Sequence, residues 1–299
     1  AGVQIHLRGD PAYPAILSHD QQAPPVLFSR GRLEVLDHPR VAIVGTRSAT
    51  HYGKEVATEL GSGLAQAGVV VVSGLALGID GAAHEGALAA LEEGGCPPAG
   101  VAGSGLDVVY PSGNRRLWRG VGRSGALLSE WPLGTRPDAW RFPARNRIIA
   151  ALSQVVVVVE SHRAGGALHT VEAAIERGIP VMAVPGSVRS PASEGTNALL
   201  SEGAAPVRDL DDVLTALDIA TIGGPSRRAE PRATPDEGDG RVMSAVDWSP
   251  TSTTTILERT GIALGPLAAS LGRLEEKGWL RAGEGWWERR GPTPAGGRT

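Results

Sequence analysis

Residues 41–73, VAIVGTRSATHYGKEVATELGSGLAQAGVVVVS, decide the fold. Residues 41–44 form a short apolar run with no polar alternation, the pattern of a strand buried on both faces. A helical stretch over 52–66 follows, and 69–73 is a second apolar run. The same alternation continues downstream: a helix over 81–92, strands over 99–102, 126–129 and 155–160, a helix over 167–177 and a strand over 181–184. Short apolar runs separated by helices predict an α/β domain with a mainly parallel sheet covered on both faces.

That pattern is extended, Rossmann-like and doubly wound, and it assigns residues 41–222 to one domain. Upstream, 1–40 is rich in proline and polar residues and reads as a lead-in, with one short apolar stretch at 26–28 fit for a peripheral strand. Downstream, 223–240 (GGPSRRAEPRATPDEGDG) holds almost no large apolar group and reads as a flexible linker. Residues 241–290 place Leu264, Leu267, Leu271 and Leu274 on one helical face and end in two short strands about Gly283-Glu284-Gly285. This predicts a small C-terminal winged-helix domain, followed by a disordered tail at 291–299.

Composition narrows the function. The chain of 299 residues carries 41% apolar and 20% charged residues, a globular mixture. No apolar run reaches 18 residues, none being longer than the five of 155–159, so no membrane span is expected. The N-terminus has no basic-then-apolar leader pattern. Cys96 is the single cysteine, which rules out an intramolecular disulfide and a thiolate-rich metal centre and predicts a reducing, cytoplasmic setting. The net charge of −3 argues against indiscriminate nucleic-acid binding, but its distribution does not. Between Arg115 and Arg147 stand eight arginines against Glu130 and Asp138, a local +6 that leaves −9 for the rest. The winged-helix region, with seven basic and six acidic residues, has the balance of an ordinary surface.

In a sheet of this kind ligands bind at the carboxyl ends of the strands, where loops enter helix N-termini. The first such loop, Gly45-Thr46-Arg47, offers close backbone approach and a guanidinium suited to phosphate. It is not a P-loop, because Glu55 stands where a magnesium-binding hydroxyl belongs. Gly103-Ser104-Gly105 is only a fragment of a dinucleotide fingerprint, Val108 replacing its third glycine. Asp80 is placed to cap the helix that carries His84, and no third metal ligand accompanies them. Ser129, His162 and His169 lack a nucleophile elbow. No catalytic residue, metal or cofactor is predicted.

The stretches GTRSATHYG (45–53), SGLALGIDGAAH (73–84), GLDVVYPSGN (105–114), FPARNRIIAALS (142–153) and AVPG (183–186) resemble the DNA processing protein A (DprA/Smf) family, in order across most of residues 10–210. The resemblance implies a non-enzymatic protein that binds and protects single-stranded DNA, forms a homodimer and helps load the RecA recombinase in natural transformation. Carried over residue by residue, it implies DNA contacts at Gly45, Thr46 and Arg47, at Arg115 and Arg116, at Phe142, Arg145, Asn146 and Arg147, and at Gly165 and Gly166. It implies a dimer region over 194–207, with Leu199, Leu200 and Val207 offering apolar contact. Trp118 and Trp140 lie among the arginines as further base-stacking candidates. Arg145 and Arg147 have a second reading, as braces of the sheet through carboxylate pairs.

Two departures stand out. The family's Ser-Gly-Ser/Thr-Leu-x-Thr stretch is here Ala164-Gly165-Gly166-Ala167-Leu168-His169-Thr170, so hydroxyls are missing and a histidine is added. The N-terminal helical module of many members is absent or reduced. An alternative reading is a nucleotide-binding, phosphoribohydrolase-like enzyme, since Gly165-Gly166, Thr170 and Glu172 approximate the Gly-Gly-x-Gly-Thr-x-x-Glu motif of that class with its spacing off by one or two residues.

Overall fold

A computed structural model describes residues 2–219 and 232–290, in two compact units that divide between Ile222 and Gly223. The tail at 291–299 and the linker as far as 231 lie outside the described residues.

The first unit opens with β1 (Gln4–Leu7), a single helical turn α1 (Ala15–Ser18) and β2 (Val26–Gly31). Then come β3 (Arg40–Val44), α2 (His51–Gln66), β4 (Val70–Ser73), α3 (Ile79–Ala89) and β5 (Ala99–Val101). They are followed by α4 (Arg115–Ser124), β6 (Ala126–Ser129), α5 (Arg141–Ala151), β7 (Val155–Val158) and α6 (Leu168–Ile175). The unit closes with β8 (Val181–Ala183), α7 (Glu194–Ser201), β9 (Ala205–Pro206) and α8 (Leu210–Ala216). All nine strands join one sheet in the order β1-β2-β6-β5-β4-β3-β7-β8-β9. It is parallel from β6 to β9 and antiparallel where β2 meets β6 and β1 meets β2.

The apolar runs explain the layering. Successive side chains of a strand point to opposite faces. Ala42 and Val44 enter one core with Val156, Val158, Ile148 of α5 and Val171 of α6. Val41 and Ile43 enter the other with Val155, Val157, Leu60 of α2 and Ala83 of α3. The fold is therefore α/β, Rossmann-like and doubly wound. The stretch at 26–28 lies in β2, the peripheral strand expected of it, with Phe28 paired to Ser129 and Gly31 to Ala126, while β1 adds a further strand outside it, so the lead-in is part of the sheet.

The second unit contains α9 (Glu237–Ala245), β10 (Thr251–Ser252), α10 (Thr253–Thr260), α11 (Leu264–Glu276), β11 (Leu280–Gly283) and β12 (Trp286–Arg289). Its sheet runs β10-β12-β11, antiparallel throughout. Leu267, Leu271 and Leu274 of α11 meet Val242 of α9 and Ile256 of α10 in its core. The unit begins earlier than the composition implied. Asp236 caps α9 by accepting the Asp239 N–H at 2.8 Å, and Ala233 accepts the Trp279 indole N–H at 3.2 Å.

Candidate nucleic-acid interface

The strand order reverses at β3: the chain runs outward through β4 on one side and returns to β7 on the other. The loop after β3 leads to α2 on one face, and the loop after β7 leads to α6 on the opposite face. Between these diverging loops lies a cleft of about 590 Å³, lined by Gly45, Arg47, Phe142, Asn146, Gly166 and Thr170 among others.

Each wall is fixed by a few contacts. Thr46 N–H donates to the Glu160 carbonyl at 2.8 Å, tying the Gly45–Arg47 loop to the end of β7. Gly45 is required there, since a Cβ would lie 2.5 Å from Ile79 and 2.8 Å from the Glu160 carbonyl oxygen. The buried Glu160 carboxylate accepts the Thr50 N–H at 2.9 Å and the Thr50 hydroxyl at 2.5 Å, and so holds the entry to α2. Arg47 is exposed, makes no ion pair among the described residues, and lies 4.7 Å above the Phe142 ring centroid. Phe142 in turn stacks on Tyr110 at 5.4 Å. Across the cleft, Asn146 Nδ2 donates to the Gly166 carbonyl at 3.1 Å, and Gly165 N–H closes a turn on the His162 carbonyl at 3.0 Å.

The arginine cluster separates into two groups. Arg145 is only 3% exposed and donates to the Val101 carbonyl at the end of β5. Burial pulls its pKa down to about 10, with buried Asp80 opposing that shift, so it remains charged at neutral pH. Burial raises the Asp80 carboxyl in turn, against the attraction of Arg145. Arg147 makes a two-point pair with Glu130 at 3.0 and 2.7 Å, and Arg141 sits between two indoles. Arg115, Arg116, Arg119, Arg123 and Arg136 are exposed, Arg115 and Arg116 at the start of α4 outside the cleft lining. The bracing reading through a carboxylate pair therefore describes Arg147, whereas Arg145 donates to a carbonyl, has an Nε with no hydrogen-bond partner among the described residues and lines the cleft.

Other expectations also change. Gly78, not Asp80, occupies the cap position of α3; Asp80 instead accepts the Gly74 N–H at 3.1 Å. Trp118 is 3% exposed and packs with Leu106 and Val121, so it cannot stack a base. Leu199 (8% exposed) and Val207 (3%) belong to the two cores of their own chain and offer no dimer surface. Leu200 is half-buried against the first of those cores. Glu160 and Tyr110 were not singled out by the sequence. A carboxylate at a strand end and a tyrosine in a loop carry no local mark of partners 110 and 32 residues away.

The family model for DNA recombination-mediator protein A matches residues 4–218. The chain belongs to that family. The DNA processing protein DprA of Streptococcus pneumoniae is 44% identical over 209 residues, covering 70% of this chain and 72% of the relative. The crystal structure of that protein superposes with a TM-score of 0.66 at 42% identity, over 71% of this chain and 73% of that one. The Helicobacter pylori DNA processing protein A, whose structure is described as giving insight into its single-stranded-DNA binding mode, superposes at 0.64 with 30% identity, over 72% of this chain and 95% of that one. Family membership accounts for the sheet and for the loops that frame the cleft. Among the described residues, no helix is long and apolar enough to cross a membrane.

Proposed function

We propose that this member of the family is a cytoplasmic single-stranded-DNA-binding protein without a catalytic step, which protects incoming DNA and helps load RecA in natural transformation. The observation that carries the reading is Arg47: an exposed guanidinium that makes no ion pair among the described residues, poised over Phe142 at the mouth of a glycine-lined cleft. Gly45, Thr46, Asn146, Gly165 and Gly166 frame the path of a phosphate backbone, and the exposed Arg115 and Arg116 extend the positive surface. The Helicobacter pylori relative supports the choice of single strands.

Fluorescence anisotropy with labelled oligothymidine and its duplex tests this. Counterion release sets a log–log salt slope of about −0.7 per phosphate neutralised, so about four contacts weaken binding roughly 50-fold for a fourfold rise in salt. Arg47→Ala is expected to weaken binding and flatten the slope; salt-independent binding overturns the mechanism. RecA loading is tested by strand exchange on oligonucleotides coated with a single-strand binding protein, and homodimerisation by light scattering at micromolar concentration.

One observation favours the enzymatic alternative: Gly165, Gly166 and Thr170 line a cleft of nucleotide size. Glu172, the acid of that reading, is exposed and bonded to His169 at 3.2 Å instead. Sustained release of free base from nucleoside monophosphates would decide for it.

A further inference from the structure

The first unit leaves one large aromatic ring unexplained. Trp140 keeps 54% of its surface in water, although rings of that size ordinarily bury themselves in a core or an interface. It is nevertheless held firmly. Trp131 stands edge-on to it at 5.2 Å and 87°. The Arg141 guanidinium fills the corner between the two rings, 5.0 Å from each centroid. The Asp138 carboxylate accepts the Trp140 indole N–H at 3.0 Å. These contacts fix the ring and its polar edge while about half of its surface stays open to water.

The place is adjacent to the cleft. Asp138 and Ala139 before Trp140, and Phe142 after it, all line the cleft. Phe142 and Tyr110 are already stacked on one another, and Trp140 is more exposed than Tyr110, at 54% against 41%.

We infer that Trp140 is a base-stacking platform: the base next to a nucleotide whose phosphate lies in the cleft rests on the exposed surface of the indole. The inference builds on the single-stranded-DNA reading above. A ring fixed by three neighbours loses little conformational freedom when a base arrives, and stacking is tolerant of sequence because every base has a π face. Bases of a duplex are already stacked on each other and cannot use the platform, so Trp140 also selects for single strands. Arg141 beside the rings offsets the Asp138 charge that a phosphate backbone would otherwise meet.

Two labelled oligomers of equal length test the inference, one of thymidines and one of abasic sites with the same phosphates. Trp140→Ala is expected to weaken oligothymidine binding at least about 5-fold and to leave abasic binding unchanged. Trp140→Phe keeps a ring and most of the affinity. Wild-type affinity of Trp140→Ala for oligothymidine overturns the platform, as do equal losses on both oligomers, which would make the indole a support of the cleft. A lower mass in light scattering with unchanged DNA binding also overturns it, since the ring would then be a contact between copies of the chain. If wild type binds neither oligomer, the single-strand reading itself fails; abasic binding without any Trp140 effect removes the platform alone.

Discussion

Gly53 shows how much one methyl group would matter in this protein. A Cβ at that position would lie 2.3 Å from the Glu160 carboxylate, which is buried and pinned by Thr50. Gly53→Ala should therefore cost about 1–3 kcal/mol, as overpacking of a filled site does, read as a lower urea midpoint. It should also weaken single-strand binding, because the Arg47 loop hangs on the same strand end. Arg47→Ala, at an exposed position, should leave the midpoint unchanged. His84 gives a pH prediction. Burial, with the Arg145 charge adding to it, lowers its pKa from 6.5 to about 4. Between those values the unfolded chain takes up a proton that the folded one refuses, so stability falls on acidification. The fall from pH 7 to pH 5 should be about 2 kcal/mol, and His84→Gln should abolish that part of it in urea titrations. Glu160 was not legible in the sequence, because its partner Thr50 is brought near only by the sheet. Arg47 was legible, because its loop position follows directly from the strand before it.

At the scale of elements, the Val-rich strands β3, β4 and β7 could be read at once, since burial on both faces writes itself as an unbroken apolar run. Strands β1 and β9 could not. Gln4–Leu7 alternates polar and apolar residues over four positions, and Ala205–Pro206 is two residues long. The start of α9 was hidden for another reason: its buried anchor is an acid. Asp239 is wholly buried and accepts from Ser270 at 2.5 Å and from Arg273 at 2.6 Å, joining α9 to α11. The Arg273 hydrogen bonds, working against burial, hold its carboxyl below the usual range. Asp239→Ala would leave the Ser270 hydroxyl buried without this partner and should cost the second unit about 1–3 kcal/mol. Thermal unfolding of the full chain should show that loss in the transition of the second unit and leave that of the first in place.

Over the whole molecule, two compact units with separate cores imply separable tasks. The cleft residues all fall between Val44 and Thr170, well inside the first unit, which runs to residue 222. A chain truncated after residue 219 should keep oligothymidine affinity within about 3-fold at fixed salt, measured by anisotropy, if the cleft supplies the phosphate contacts that dominate binding. A loss approaching that of Arg47→Ala would instead place DNA contacts in the second unit.

The reversal of strand order at β3 has a mechanical consequence. The loops that frame the cleft belong to layers on opposite sides of the sheet, joined beneath it by the hydrogen bonds between β3 and β7. A strand of nucleic acid seated there touches both layers at once and resists their parting. Amide hydrogens at the upper ends of β3 and β7 should exchange more slowly when the cleft is filled, and those of the distant β1–β2 pair should keep their rate. Occupancy would then be recorded in the backbone as a clasp across the middle of the sheet.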